Sequence, residues 1–257
     1  KGGVAFGVTT NLDMFTALPL MHEMRAEQEA GDAADRADLF SAGTLVTAPG
    51  GHGTQYGVPI PTLSIPEEAQ DFIDARLEEG SDYIKIIFED GSAFGMTTPT
   101  LNAPTLEAAI DAAQTRGKMT VVHIGSYAGA RTALEMSPDG LVHIFADQPP
   151  GTEFAELVAA SGAFIVPTLT VVEATTGAAG GIRLVEDPFI GPRLFPADVQ
   201  NLGLSFPTRE GTTLTMEHAF EAVRLAHQAG ASILAGTDAP NPGTALGASM
   251  HRELELL

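Results

Sequence analysis

The chain of 257 residues carries 33 acidic against 13 basic side chains, a formal charge of −20, and no cysteine. That balance sets nucleic acid and anionic membrane surfaces aside as partners, and the missing thiols exclude disulfides, thiolate nucleophiles and thiolate metal sites. The length is that of one domain with 44% apolar residues to fill its core; no apolar run is long enough to span a membrane, and a cytoplasmic protein is expected. The first residues read as the interior of a domain, which leaves room for a leader upstream.

Short apolar runs alternate with helix-period segments along the chain. Residues 4–11 and 42–48 predict strands, and Pro66 followed by two glutamates opens a helix predicted over 66–79 that Gly80 closes. A strand over 82–88 and a helix over 104–116, stopped by Gly117, follow. Further strands are predicted over 119–123, 140–145 and 163–170. Residues 173–209 break the rhythm with Gly, Pro and Phe and one short helical stretch over 197–204, and read either as a substrate lid or as structural padding. A helix over 215–228 ends near Gly230, ahead of a last strand over 231–237. The strands are rich in Val, Ile, Leu and Thr and mostly do not alternate, as strands buried on both faces require. Strands alternating with helices imply parallel pairing, and a TIM (β/α)8 barrel over residues 1–257 is expected. The competing doubly wound sheet places a Gly-rich phosphate turn after its first strand, where this chain has Asn11-Leu12-Asp13.

A barrel carries its active site at the C-terminal ends of its strands. Lys85 lies inside the apolar run Tyr83-Ile84-Lys85-Ile86-Ile87-Phe88, and His123 closes Thr120-Val121-Val122-His123. His143 follows Gly140-Leu141-Val142, and Asp238 follows Leu234-Ala235-Gly236-Thr237. Each has an ordinary reading alone: a hydrogen-bonded structural histidine, a snorkelling lysine, a turn-forming aspartate. Together they set imidazoles, a carboxylate and an amine round one cavity, and burying that set without a metal would leave several polar groups uncompensated. His52, in a Gly-rich loop at the same face, reads equally as a substrate contact or a turn residue. Tyr127 could offer its hydroxyl to a tetrahedral intermediate, with packing at a helix start as the alternative. Glu89 and Asp90 read as solvated loop charge, or as partners for a cationic end of the substrate. His251, Arg252 and Glu253 read as residues ordering a helix after the last strand; His22, His218 and His227 fall on predicted helices and take no role.

Lys85, His123, His143 and Asp238, in that order, resemble the lysine, two histidines and aspartate of the amidohydrolase superfamily. The segments Phe6-Gly7-Val8-Thr9-Thr10, Gly50-Gly51-His52-Gly53, Gly236-Thr237-Asp238-Ala239-Pro240 and His251-Arg252-Glu253-Leu254-Glu255-Leu256 resemble its imidazolonepropionase-like and prolidase-like branch. The resemblance implies a metal-dependent hydrolase of a C–N bond (amide, cyclic amide or dipeptide-like) in a small molecule. It implies two divalent ions in the full-length protein, zinc foremost, with manganese or iron nearly as well suited. Lys85, carboxylated, would bridge them; His123 and His143 would hold the second; Asp238 would ligate the first and shuttle the proton from the attacking water to the leaving group. The family's first strand carries His-x-His, which this sequence lacks, so the chain is expected to open at the second barrel strand and to stop before the final helix and the small flanking β-sandwich. Two other readings remain: an esterase or lactonase on the same scaffold, and a non-catalytic binding barrel should the first strand be absent from the protein. Assembly into a homo-oligomer stays open.

Overall fold

In the computed structural model of this protein, which describes residues 2–257, parallel strands alternate with helices in chain order. A helical turn, α1 (Gly2–Ala5), precedes β1 (Thr10–Asp13), α2 (Leu18–Glu29) and β2 (Asp38–Ser41). Then come α3 (Ala69–Glu78), β3 (Ile84–Ile87), α4 (Ala103–Thr115), β4 (Thr120–His123), α5 (Tyr127–Glu135), β5 (Gly140–Val142), α6 (Thr152–Ser161) and β6 (Phe164–Val166). Five helices complete the chain: α7 (Leu169–Thr175), α8 (Ile182–Glu186), α9 (Pro196–Leu202), α10 (Met216–Gln228) and α11 (Ala248–Leu256). None of the helices among the described residues is long and apolar enough to cross a membrane.

The strands pair parallel to their sequence neighbours, β1 with β2 and β3 through β6 in order. Single bridges from Val46 to Ile86 and from Ile165 to Ile233 carry the pattern outward on both sides of the larger sheet. The backbone N–H of Asp82 donates to Ser41 O at 2.9 Å, and that of Val46 donates to Lys85 O at 2.8 Å, which links the smaller sheet to β3. Among the described residues the pairings end at β1 on one side and at the Ile233 bridge on the other.

β3, β4 and β5 are buried along their whole length, which explains their unbroken apolar runs. Ile86, Val122, Leu141 and Ile165 share one core with Leu106 and Ile110 of α4 and Phe154 of α6. Each such side chain contributes about 1.5–3 kcal/mol on burial.

The predicted helices form as α3, α4 and α10, while several predicted strands change. Residues 4 and 5 belong to α1, because Phe6 buries itself against Leu184, Ala245 and Ala248 and Gly7, at φ 84°, turns the chain. Pairing along the next strand starts upstream of residue 42, in Asp38–Ser41, where exposed and buried positions alternate. The strand predicted over 163–170 stops at Val166, since Thr168 takes a left-handed φ of 50° and α7 begins at Leu169. The run over 231–237 keeps only the Ile233 bridge. Helix α2 carries His22 and α5 starts at Tyr127, where helices are expected without bounds, and α6 lies where no element is predicted.

The stretch over 173–209 is stitched to its surroundings. Leu184 and Leu202 join Phe6 in a small core of their own. Asn201 Nδ2 donates to the carbonyls of Pro240, Asn241 and Thr244 at 3.1, 2.8 and 2.7 Å, tying α9 to the loop after Asp238.

One junction holds the end of the chain. Thr168, the residue before helix α7, gives it no side-chain cap, and the Glu253 carboxylate of α11 supplies one. It accepts from the backbone N–H of Leu169 at 2.9 Å and of Thr170 at 2.8 Å, and from Thr170 Oγ1 at 3.1 Å. Arg252 adds a buried ion pair to Glu173 of α7 at 2.7 Å. Of residues 251–253, read as ordering the last helix, Arg252 and Glu253 thus fasten it to α7, while His251 Nε2 contacts Phe6 O at 3.1 Å. Truncation by Glu253→Ala orphans buried donors and should destabilise the fold by about 2–4 kcal/mol in urea unfolding. Burial pushes the Glu253 carboxyl from 4.5 up to about 7 against the pull of its backbone donors. A raised folded pKa favours the fold below the unfolded value, so this contribution is full below pH 4.5 and lost as pH rises through about 7. The urea midpoint of the wild type should therefore fall across that window more steeply than that of Glu253→Gln.

Candidate functional site

The C-terminal ends of β4 and β5 deliver two imidazoles to one place. His123 closes β4, His143 follows β5, and their rings meet edge to face with centroids 4.7 Å apart. Thr168 fixes the inner ring. Its hydroxyl has one proton, which goes to Pro167 O at 2.8 Å, so Oγ1 receives the Nδ1–H of His143 at 2.5 Å. The lone pair of His143 Nε2 then faces His123 Nδ1 at 3.1 Å and Asp238 Oδ2 at 3.8 Å. Asp238 has φ 50°, and Asn241 Nδ2 donates to both its Oδ2 and its carbonyl at 2.7 Å. Left-handed backbone is uncommon outside glycine and rarer still for a β-branched residue, so Thr168 and Asp238 concentrate strain at one site.

Burial sets the charge state of the group. It lowers His143 to about 4, with Asp238 opposing and Lys85 adding to the shift. It holds His123 well below the ordinary histidine value, helped by His143 and Lys85. Both rings are therefore neutral at neutral pH and keep a lone pair each. Burial also lowers the pKa of Lys85, which is only 5% exposed, while Asp238 and Asp13 pull it upward.

A cavity of about 390 Å³ opens over these groups, lined by His52, His123, His143 and Asp238 among others, with residues 206–209 contributing to its wall. His52 stacks on His123 at a 4.8 Å centroid distance and contacts the Tyr56 hydroxyl through Nε2 at 3.3 Å. Lys85 lies within electrostatic reach of Asp238 but does not line the cavity. Tyr127 lies away from it: its ring packs on Phe145, and its hydroxyl donates to Glu153 at 2.9 Å.

Three residues join the site that sequence reasoning passed over or set aside. Asp13 ends β1 and accepts from Ser41 Oγ at 2.6 Å, in the field of Lys85; the first predicted strand stopped just short of it. Thr168 stood inside a predicted strand. Glu89, read as solvated loop charge or as a partner for a cationic end of the substrate, is 5% exposed and lines the cavity, which corrects the solvated reading; its carboxylate lies where a Gly125 side chain would stand.

Among the described residues no group of three or more His, Asp or Glu side chains is gathered round one point as a ready metal site. The chemistry of the donors nonetheless fits a divalent ion. His123 and His143 are neutral, the second has its far nitrogen hydrogen-bonded as metal-binding imidazoles do, and an aspartate oxygen stands beside it.

No protein-family model and no curated protein matches the sequence. Solved structures do resemble the fold. A Xaa-Pro dipeptidase with bound methionine in the active site is 20% identical and superposes with a TM-score of 0.66 over 99% of this chain and 61% of that one. An amidohydrolase is 22% identical (TM-score 0.65, 99% of this chain, 60% of that one). The ochratoxinase of A. niger is 18% identical (TM-score 0.65, 99% and 56%). The chain thus spans 56–61% of the length of these structures. It has their fold: an α/β architecture with parallel sheets, shared with amidohydrolase-type hydrolases along nearly its whole length.

Proposed function

We propose that this chain is a (β/α)8-barrel domain of the amidohydrolase superfamily, and that the protein hydrolyses a C–N bond (amide, cyclic amide or dipeptide-like) in a small molecule with the help of divalent metal. The carrying observation is the neutral His123–His143 pair beside Asp238, over the buried Lys85, at the C-terminal ends of parallel strands. The fold shared with a Xaa-Pro dipeptidase and an ochratoxinase supports it.

His123 and His143 would hold one ion, zinc foremost, Asp238 would ligate a second, and Lys85 would serve both as a carbamate. Burial favours the uncharged amine, the form that reacts with carbon dioxide. A divalent ion at such a site polarises a scissile carbonyl and acidifies water. The protein's own groups do the rest. Thr168 keeps the Nδ1 proton of His143 in place, so that Nε2 stays a donor of electrons. Asp238 Oδ2 takes a proton from the attacking water and returns it to the leaving nitrogen. The cavity walls shield the substrate from bulk solvent.

Elemental analysis of the full-length protein should return two stoichiometric divalent ions, and a metal-free preparation that is fully active would sink the reading. Lys85→Ala should lose metal and activity together, with short carboxylic acids restoring part of both. Full activity in Lys85→Arg would rule out the carbamate, because a guanidinium cannot carry one. Asp238→Asn keeps the shape and the Asn241 contact but cannot take the proton. It should lower kcat by roughly 10²–10⁴-fold while KM and metal content change far less. Turnover within a few-fold of wild type would make Asp238 a structural residue.

A further inference from the structure

The turn that follows Pro207 carries an arginine to the cavity. Arg209 opens the sequence Arg209-Glu210-Gly211-Thr212, and Gly211 at φ 86° supplies the left-handed third residue that such a turn takes. The Arg209 carbonyl accepts from the N–H of Thr212 at 3.2 Å and from Thr212 Oγ1 at 2.7 Å, which closes the turn. The stem of Arg209 lies over Gly95: a Cβ built on that glycine would stand 3.5 Å from Arg209 Cβ and 3.7 Å from its Cδ. Nη1 donates to Phe94 O at 3.4 Å, the one hydrogen bond that the guanidinium makes among the described residues.

A guanidinium has five N–H donors, so most of those on Arg209, an exposed residue, are left to solvent or to a ligand. A missing carboxylate partner is unusual in this chain. Of its ten arginines seven form ion pairs, Arg76 with Glu79 and Arg252 with Glu173 among them. Arg183, Arg193 and Arg209 have none among the described residues, although the chain carries 33 acidic side chains. Of these three, only Arg209 lines the cavity that holds His123, His143 and Asp238, and among the described residues no other lysine or arginine does. The wall beside it is apolar at Phe94, Met96, Val171 and Leu214.

We infer that Arg209 is a specificity-determining residue that binds a carboxylate of the substrate, so that the cavity takes anionic molecules with an apolar body: an N-acyl amino acid or dipeptide-like amide rather than a neutral cyclic amide. The inference rests on reading this cavity as the substrate site. Two N–H groups of a guanidinium match the two oxygens of a carboxylate, and the pair is charge-assisted. The charge of −20 on the whole chain does not oppose this, because physiological salt limits the reach of exposed charges to about 8 Å and local groups decide. The acids of the lining are Asp238 and Glu89. Glu89 keeps its Oε2 buried, and burial pushes its carboxyl up to about 7, which leaves Asp238 as the main local counter-charge.

Calorimetric titration of the full-length protein at neutral pH and physiological salt, with sodium phenylacetate and with phenethyl alcohol, tests this. Neither probe contains a bond that the proposed reaction breaks. The wild type should bind the carboxylate about fivefold or more tightly than the alcohol, as a charge-assisted hydrogen bond requires. Arg209→Gln should lose most of that preference while affinity for the alcohol stays within about twofold. Arg209→Met, which keeps an apolar stem over Gly95 without the charge, should lose the preference too. Circular dichroism confirms folding of each variant. Absence of phenylacetate binding, equal binding of the two probes by the wild type, or full preference in either folded variant overturns the inference, the last because another group then holds the carboxylate. Equal weakening of both probes in the variants also overturns it, since Arg209 would then only moor its turn to Phe94. The titration needs no turnover. A protein that shows the preference but no hydrolase activity therefore overturns the proposed function alone, and an active one without the preference overturns only the role of Arg209.

Discussion

The carboxylate of Glu253 reaches across 84 positions of sequence to cap the first turn of α7, and the placement of His143 depends on it. Thr168 occupies a conformation that a β-branched residue does not choose by itself. Its neighbours Leu169 and Thr170 have their N–H groups answered by Glu253, which makes the sharp entry into α7 affordable, and Thr168 can then present its hydroxyl to His143. Arg252 grips the same helix through Glu173. The geometry of the imidazoles is thus set from the far end of the chain.

Burial has opposite effects on the ionisable groups gathered here. It strips the histidines of their protons and favours the free amine of Lys85, while it drives the carboxyls of Glu89 and Glu253 toward their protonated forms. Asp238 is the more exposed partner, with a third of its side chain accessible, and it faces a histidine rather than another acid. The two imidazoles are therefore uncharged at neutral pH. Neutral nitrogens and an accessible carboxylate suit the binding of a cation far better than a cluster of ammonium and imidazolium groups would.

Much of this was legible in the sequence wherever a strand is buried on both faces. The apolar runs ending at His123 and preceding His143 form β4 and β5, and both histidines line the cavity at the ends of those strands. Legibility fails where a distant contact decides. Pro167-Thr168-Leu169-Thr170-Val171-Val172 has the composition of a strand, and only the Glu253 carboxylate turns its second half into helix. Glu89 sits beside Asp90 and Gly91, as turn residues do; what buries it is the missing side chain at Gly125, which no local pattern reveals. Tyr127 stands at a helix start near the right strand, yet its ring follows the aromatic cluster of Phe145 and Phe154 into the core.

Asn201 gives the 173–209 stretch a mechanical meaning. One amide nitrogen holds three carbonyls of the loop that follows Asp238, and the N–H of Gly243 returns a bond to Asn201 O at 2.9 Å. Helix α9 and that loop consequently move as one piece, since sliding either alone would strand several polar groups at once. Residues 206–209, which line the cavity, are fastened elsewhere: the N–H of Phe206 donates to Ala174 O at 3.0 Å and Arg209 Nη1 donates to Phe94 O at 3.4 Å. The stretch is therefore moored at two separate places, one on the loop after Asp238 and one on the rim of the cavity.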